Sequence, residues 1–237
     1  MSNKKRLLLI SNSINFGSEY LDHCQEEILS FLGKDVSTVL FFPYAKPDID
    51  EYVQKARGRF EKMGLNLVSI HESKNPEKEI KKSEAIFIGG GNTFLLLKKL
   101  YDKNLFNLIK KKINEGIPYI GTSAGSNITG ISIATTNDMP IAYPPSFDAL
   151  GLIPFNINPH YVDPDSKSKH KGENRIERIE EFHKIKSIPV LGLREGAILL
   201  VEGRKILLKC GGAKVFLKNK APYEKLAGSD LSLILNL

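Results

Sequence analysis

Tyr119-Ile120-Gly121-Thr122-Ser123-Ala124-Gly125-Ser126-Asn127 is the stretch that decides how the chain is read. A short apolar run passes into a turn of small residues and then into the polar start of a helix. Gly121–Gly125 fits G-x-S-x-G, the nucleophile elbow, in which a serine on a sharp strand-to-helix turn pushes its hydroxyl out of the sheet. The small neighbours have a physical reason. Such a turn brings backbone against backbone, so bulk at 121, 124 or 125 would clash. The following helix points its free N–H groups and positive dipole end at the serine. An ordinary strand–turn–helix junction fits the same five residues, so the rest of the chain must choose.

On the N-terminal side, strands and helices alternate. Arg6–Ser11 reads as a buried strand, followed by a helical stripe over Ser18–Leu32 and a strand over Val36–Phe42. Asp48–Met63 is helical, capped by Asp48 or Asp50 and closed by Gly64. Leu65–His71 is a strand, and Asn75-Pro76-Glu77 opens a short helix to Lys82. Ala85–Ile88 is a strand ending in Gly89-Gly90-Gly91-Asn92-Thr93. Helices over Phe94–Leu100 and Leu105–Asn114 lead into the elbow strand. The strands are continuous apolar runs, which indicates a mostly parallel sheet covered on both faces. Sites in such sheets lie at the C-terminal strand ends. Three loops fall there: Ser11–Ser13, Gly89–Thr93 and Gly121–Gly125.

Beyond residue 130 the pattern changes. Ile131–Ala134 and Leu152–Asn158 read as short strands around a Pro-rich loop, and Asn174–Glu181 as a charged helix. Pro189–Leu193, Ala197–Val201, Arg204–Leu208 and Lys214–Leu217 read as further short strands. With no repeat or linker, the expectation is one α/β domain over residues 1–237.

The composition is that of a globular protein, and no apolar run approaches the roughly 20 residues that span a bilayer. The apolar run after Met1–Arg6 stops at Ser11, too short for a signal sequence, so a cytoplasmic protein is expected. Cys24 and Cys210 are isolated, which points to structural thiols with no zinc site and no disulfide framework. The net charge of +7 is scattered, with small clusters at Lys110–Lys112 and Lys167–Lys171. Aromatic residues are not interleaved with them, so nucleic acid is not an expected partner.

Nucleophilic catalysis needs a hydroxyl, an imidazole, an orienting carboxylate and donors for the oxyanion. Ser123 supplies the hydroxyl. Gly89–Gly91 and the N–H of Ala124 can supply the donors. A phosphate cradle would need a Gly-Lys-Ser/Thr that the loop lacks; Asn92 follows the glycines instead. Among the histidines, His23, His71, His170 and His183 fit surface or capping roles. His160, at the end of Asn156-Ile157-Asn158-Pro159-His160, follows an apolar segment stiffened by proline and is the candidate base. Two carboxylates are open: Asp138, giving the order Ser…Asp…His, and Glu195 in Gly192-Leu193-Arg194-Glu195-Gly196, giving Ser…His…Glu. Either order can produce the same geometry.

Assembled, these strings resemble the serine peptidase family of peptidase E, the α-aspartyl dipeptidases, which also includes cyanophycinase. The likeness runs through Leu9–Ser13, Phe87–Phe94, Ile120–Asn127, Thr135–Ile141, Phe147–Leu150, Asn158–His160, His170–Arg175 and Gly192–Gly196. It implies a three-layer α/β/α sandwich similar to class I glutamine amidotransferases and flavodoxin-like sheets, with serine in place of a nucleophilic cysteine. It implies Ser123 as nucleophile, His160 as general base and then acid, and Gly91 and Ala124 as oxyanion donors. The third member has been assigned in the family to positions matching both Asp138 and Glu195. Glu195 is preferred here, because its turn follows a core strand, with Asp138 shaping the pocket. The implied substrate is a short peptide with N-terminal aspartate, whose carboxylate Arg175 would fork. Asn92 and Thr93 would form the pocket wall, and Asp138 or Glu173 would suit the substrate amine. No cofactor is implied, and a monomer or homodimer is expected. Thr122 departs from the bulky aromatic common before the serine, and a Lys/Ser-rich loop over Val162–Lys169 separates His160 from Arg175. The alternatives are a hydrolase of β-aspartyl-arginine links and a non-catalytic amidotransferase-like binding protein.

Overall fold

Successive residues of the central strands face opposite ways, and both ways are apolar. A computed structural model describes residues 4–164 and 172–235. The parallel strands are β1 (Arg6–Ile10), β2 (Thr38–Phe42), β3 (Asn66–Ser69), β4 (Ala85–Ile88) and β5 (Pro118–Thr122), side by side as β3-β2-β4-β5-β1. Leu7, Leu9, Leu40, Phe42, Ile86 and Ile88 enter one buried cluster. Leu8, Ile10, Val39, Phe41, Ala85 and Phe87 enter another. The period of two along a strand divides them.

Helices cover both clusters. α1 (Gln25–Leu32) and α2 (Ile49–Lys62) bury Ile28, Phe31, Val53 and Phe60 on one face. α3 (Pro76–Lys82), α4 (Thr93–Asp102) and α5 (Phe106–Asn114) bury Ile80, Leu97 and Ile109 on the other. This is the expected α/β/α sandwich about a mostly parallel sheet. α6 (Ala124–Asn127) leaves the end of β5.

The later residues extend the sheet and add a second one. β6 (Asn156–Asn158) and α7 (Arg175–Ile185) precede β7 (Val190–Leu193), β8 (Ile198–Glu202) and β9 (Lys205–Cys210). β10 (Gly212–Phe216), β11 (Tyr223–Leu226) and α8 (Ser232–Leu235) complete the described chain. β8 runs antiparallel to β1 and β9 to β8, giving seven strands. β11-β10-β7-β6 form a separate sheet in which only β6 and β7 are parallel. Leu191, Leu193, Ala213 and Val215 of that sheet share a cluster with Leu7 and Leu9, so apolar packing joins the sheets.

Several expectations change. The helix expected over Ser18–Leu32 forms only from Gln25, after a single 3-10 turn at Asp22–Cys24. Leu21 sits at φ 59°, and a turn from Ser18 N–H to the Asn15 carbonyl occupies the preceding residues. Leu65–His71 is strand only over Asn66–Ser69, before a 3-10 turn. Ile131–Ala134 is reduced to one isolated antiparallel bridge, Ser132 to Asp148, in which the Ile133 N–H meets the Phe147 carbonyl and the Ala149 N–H meets the Ile131 carbonyl, and the pairing goes no further. Leu152–Asn158 is strand only at its end; the N–H groups of Leu152 and Ile153 both turn to the Thr129 carbonyl. Pro189–Leu193 contributes its strand to the second sheet. The helix starting at Pro76 forms as expected, with Asn75 accepting the Lys78 N–H.

Among the described residues no helix is long and apolar enough to cross a membrane, and no group of acidic, histidine or cysteine side chains could hold a metal ion.

Candidate active site

β5 ends where Ser123 donates its N–H to the Ile10 carbonyl at 3.0 Å. Ser123 then takes φ 51° and ψ −109°, a conformation L-residues avoid, at a strain of about 1–3 kcal/mol. Close packing holds it there. The Ser126 hydroxyl lies 2.7 Å from the Ile10 carbonyl and 2.8 Å from that of Gly121. The Tyr119 hydroxyl donates to the Gly125 carbonyl at 2.6 Å. A Cβ on Gly125 would lie 2.0 Å from the Ile88 carbonyl oxygen, so the elbow requires glycine there.

The glycine loop leaves the adjacent strand β4. Gly91, at φ 141°, passes so close to Ala45 that a Cβ would lie 2.2 Å from its carbonyl oxygen. Asn92 donates its N–H to that same carbonyl at 2.8 Å and caps α4 through the Leu95 N–H. The Gly90 backbone bonds the Tyr52 hydroxyl, which burial holds at a pKa of about 12 and which lies 3.4 Å from the Tyr20 hydroxyl. Thr93 is buried at the start of α4.

His160 reaches the elbow from the second sheet. Its Nε2 lies 2.8 Å from Ser123 Oγ, a normal hydrogen-bond distance. Its N–H donates to Ser11 Oγ at 2.9 Å, and that hydroxyl donates to the Leu193 carbonyl at 2.9 Å. Ser11 therefore ties the end of β1 to the segments that carry His160 and Glu195. Beyond the ring, Nδ1 lies 3.4 Å from Glu195 Oε1, a long contact to a carboxylate that is 59% exposed. The Glu195 turn is anchored by Asn12 Oδ1, which accepts the Gly196 N–H at 2.7 Å.

Asp138 takes a different place. Its Oδ2 accepts the Thr93 N–H at 2.7 Å and the Thr136 hydroxyl at 3.2 Å. It stands at the positive end of α4 and lines the cleft beside Gly91, and it makes no hydrogen bond to His160. Its neighbour Asn137 braces the His160 segment instead, donating to the Pro159 carbonyl at 2.8 Å. Asn158 adds bonds to the Thr135 carbonyl and Asn137 Oδ1.

Arg175 is the first residue of α7, after a capping box between Asn174 and Glu177. Burial lowers its pKa, against the pull of Tyr161 and Glu195 nearby. Its Nη1 is buried and has no hydrogen-bond partner among the described residues. The arginine does not line the cleft. His170 and Lys167–Lys171 lie outside the described residues. The other histidines have local partners or lie away from the elbow. His71 meets Asp50 and Ser69, His183 meets the Ile188 carbonyl, and His23 is half-buried within the 3-10 turn.

The cleft over Ser123 has a volume of about 590 Å³, within the range of small-molecule sites. Ser13, Ile14, Tyr20, Lys46, Asp48, Glu51, Tyr52 and Lys55 line it along with the residues above. Sequence reasoning named the Ser13 loop after β1 but missed Lys46, Asp48, Glu51, Tyr52 and Lys55, which come from the loop after β2 and the first turns of α2. No local motif marks them. Ser11 was within reach, because its loop lies at a C-terminal strand end.

A serine–histidine pair at the C-terminal edge of a three-layer α/β/α sheet defines an α/β enzyme of the hydrolase type. Residues 7–209 match the model of peptidase family S51, and the chain belongs to that family; it is a peptidase. It is 46% identical over 238 residues to the probable alpha-aspartyl dipeptidase of Drosophila melanogaster, covering 99% of each. It is 46% identical to peptidase E of Streptomyces coelicolor over 98% of this chain and 95% of that one. Peptidase E of Haemophilus influenzae is 43% identical over 84% of this chain and 92% of its own. Two solved structures share the fold. A putative peptidase E protein from Listeria monocytogenes has a TM-score of 0.59 at 22% identity, over 94% of this chain and 99% of that one. A peptidase from an acI-B1 Actinobacterium has a TM-score of 0.67 at 16% identity, over 95% and 96%.

Proposed function

We propose that this chain is a serine-type aspartyl dipeptidase, releasing N-terminal L-aspartate from dipeptides and some short peptides in the cytoplasm as a monomer or homodimer. The observation that carries the mechanism is the 2.8 Å approach of His160 Nε2 to the hydroxyl of a serine strained at φ 51°. The name of the Drosophila melanogaster relative, a probable alpha-aspartyl dipeptidase, supports the choice of aspartate.

Ser123 Oγ attacks the scissile carbonyl as His160 Nε2 takes its proton. The N–H groups of Gly91 and Ala124 receive the negative charge on the carbonyl oxygen. His160 then gives the proton to the leaving amine, and the C–N bond breaks. Water, activated by the same imidazole, releases aspartate from the ester on Ser123. Glu195 holds Nδ1 protonated and stabilises the imidazolium. Asp138, at the cleft wall, meets the substrate ammonium, while Asn92 and Thr93 shape that wall. Arg175, whose buried Nη1 has no partner among the described residues but which does not line the cleft, would have to turn toward Ser123 to fork onto the aspartate carboxylate.

The test is hydrolysis of Xaa-Leu dipeptides with Asp, Glu, Asn and β-Asp as Xaa. Asp-Leu should be the preferred substrate, and Ser123→Ala and His160→Ala should abolish its cleavage in folded protein. Full activity in Ser123→Ala would end the serine mechanism. Arg175→Ala should lower kcat/KM for Asp-Leu far more than for a neutral Xaa; equal losses would remove its role.

A further inference from the structure

Glu195 poses a geometric problem. Its carboxylate is mostly exposed and meets His160 at 3.4 Å, yet orienting an imidazole requires a fixed partner. The residues next in chain to each member of that pair supply a clamp. Tyr161 follows His160, and Arg194 precedes Glu195. The Tyr161 N–H donates to the Leu193 carbonyl at 2.8 Å. The Arg194 guanidinium lies 5.4 Å over the Tyr161 ring, and Lys214 Nζ lies 5.9 Å from the same ring. Asp163, two residues after Tyr161, accepts from Arg194 Nη2, from Lys214 Nζ at 2.6 Å and from the Tyr161 hydroxyl at 3.1 Å. On its other side Arg194 forks onto Glu224 of β11, with Nε at 2.7 Å and Nη2 at 2.9 Å. Gly192 leaves room for the ring, since a Cβ there would lie 2.7 Å from it.

We infer that Arg194, clamped between Asp163 and Glu224 over the Tyr161 ring, is the positioning residue that holds Glu195 in register with His160. The inference rests on the Ser123–His160–Glu195 mechanism above. Two cations, Arg194 and Lys214, face two carboxylates, Asp163 and Glu224, so the cluster has no net charge and the clamp acts through geometry. A planar guanidinium is needed, because only a fork can hold Asp163 and Glu224 together while stacking on the ring.

The experiment compares Arg194→Met, Arg194→Lys, Glu195→Gln and Arg194→Met/Glu195→Gln in the full chain. It measures Asp-Leu kinetics, the rate at which a fluorophosphonate acylates Ser123, and Tm. Arg194→Met should lower kcat and the acylation rate about 10²-fold with KM within about twofold, as expected of a misplaced orienting group. Arg194→Lys should recover only part of that loss. In the Glu195→Gln background, Arg194→Met should cost less than about threefold, because its partner is already disabled. Losses that multiply in the double variant would overturn the inference, and so would a lowered Tm with unchanged kcat. If Arg194→Met does not fold, Asp163→Asn removes the same bridge with little change of shape, and the same outcomes apply. Wild-type protein that is acylated but leaves Asp-Leu uncut would sink the substrate assignment alone, and the acylation rates would still test the clamp. Wild-type protein that does neither would end both.

Discussion

Ser123 is held by backbone packed on backbone and by local hydroxyl bonds from Ser126 and Tyr119, whereas His160 and Glu195 are held by side chains reaching across the junction of two sheets. Around the elbow, Gly125 touches the Ile88 carbonyl and Gly91 touches Ala45. Around His160, the ties are the Ser11 hydroxyl, the Asn137 amide and the ion cluster of Arg194. The difference teaches how a peptidase site can be assembled from two parts. A serine strained at positive φ, the nucleophile of the proposed mechanism, needs steric confinement, which glycine contacts supply without reference to charge. An imidazole needs an orientation and a tautomer, which only polar partners can set.

The largest expected effect would break the comparison on the base side. Glu195→Gln should lower kcat on Asp-Leu by about 10⁴-fold, as loss of an orienting acid does, and Asp138→Asn should cost less. The reverse order would make Asp138 the partner of His160. It would also mean that the site rearranges when substrate binds.

Next is the nucleophile side. Gly125→Ala places a methyl group against the Ile88 backbone, which cannot give way without moving β4. A loss of about 3 kcal/mol or more in urea unfolding is expected. A fully stable variant would show that the elbow is less confined than its contacts imply.

Ser11→Ala should have a smaller effect that sharpens the junction between the two parts. It leaves the His160 N–H and the Leu193 carbonyl without that hydroxyl. A loss of about 1–3 kcal/mol in stability is expected, with kcat falling and KM little changed.

The smallest effect is one of acid stability. The Lys214 ammonium first, then Arg194 and Tyr161, hold Asp163 at a pKa of about 2, below its ordinary 3.8. A depressed carboxyl stabilises the fold above its unfolded pKa, and that contribution fades as pH falls through the folded value. The Tm advantage of wild type over Asp163→Asn should therefore be present at neutral pH. It should shrink between about pH 4 and pH 2. A difference independent of pH would mean that the carboxylate charge contributes nothing.

How much was legible follows from the same contrast. The five parallel strands announced themselves as apolar runs, because a sheet covered on both faces leaves no polar side. The capped helix after Asn75 was readable because the cap lies three residues from its target. The segments beyond residue 130 were misread where their hydrogen bonds go to distant loops, as at Ile133 and Leu152. The cleft wall of Lys46, Tyr52 and Lys55 carried no local signal, since its place depends on how α2 lies against the sheet.

The sequence by itself determined the elbow, the glycine loop and the alternation that builds the sheet, because steric and periodic rules act within a few residues. It also singled out His160 from five histidines. Which carboxylate faces that imidazole was decided by tertiary structure. Along the chain both Asp138 and Glu195 remain open, with Glu195 preferred only because its turn follows a core strand. Packing of β7 beside β6 brings Glu195 to the ring, while the Thr93 N–H at the start of α4 draws Asp138 to the cleft wall.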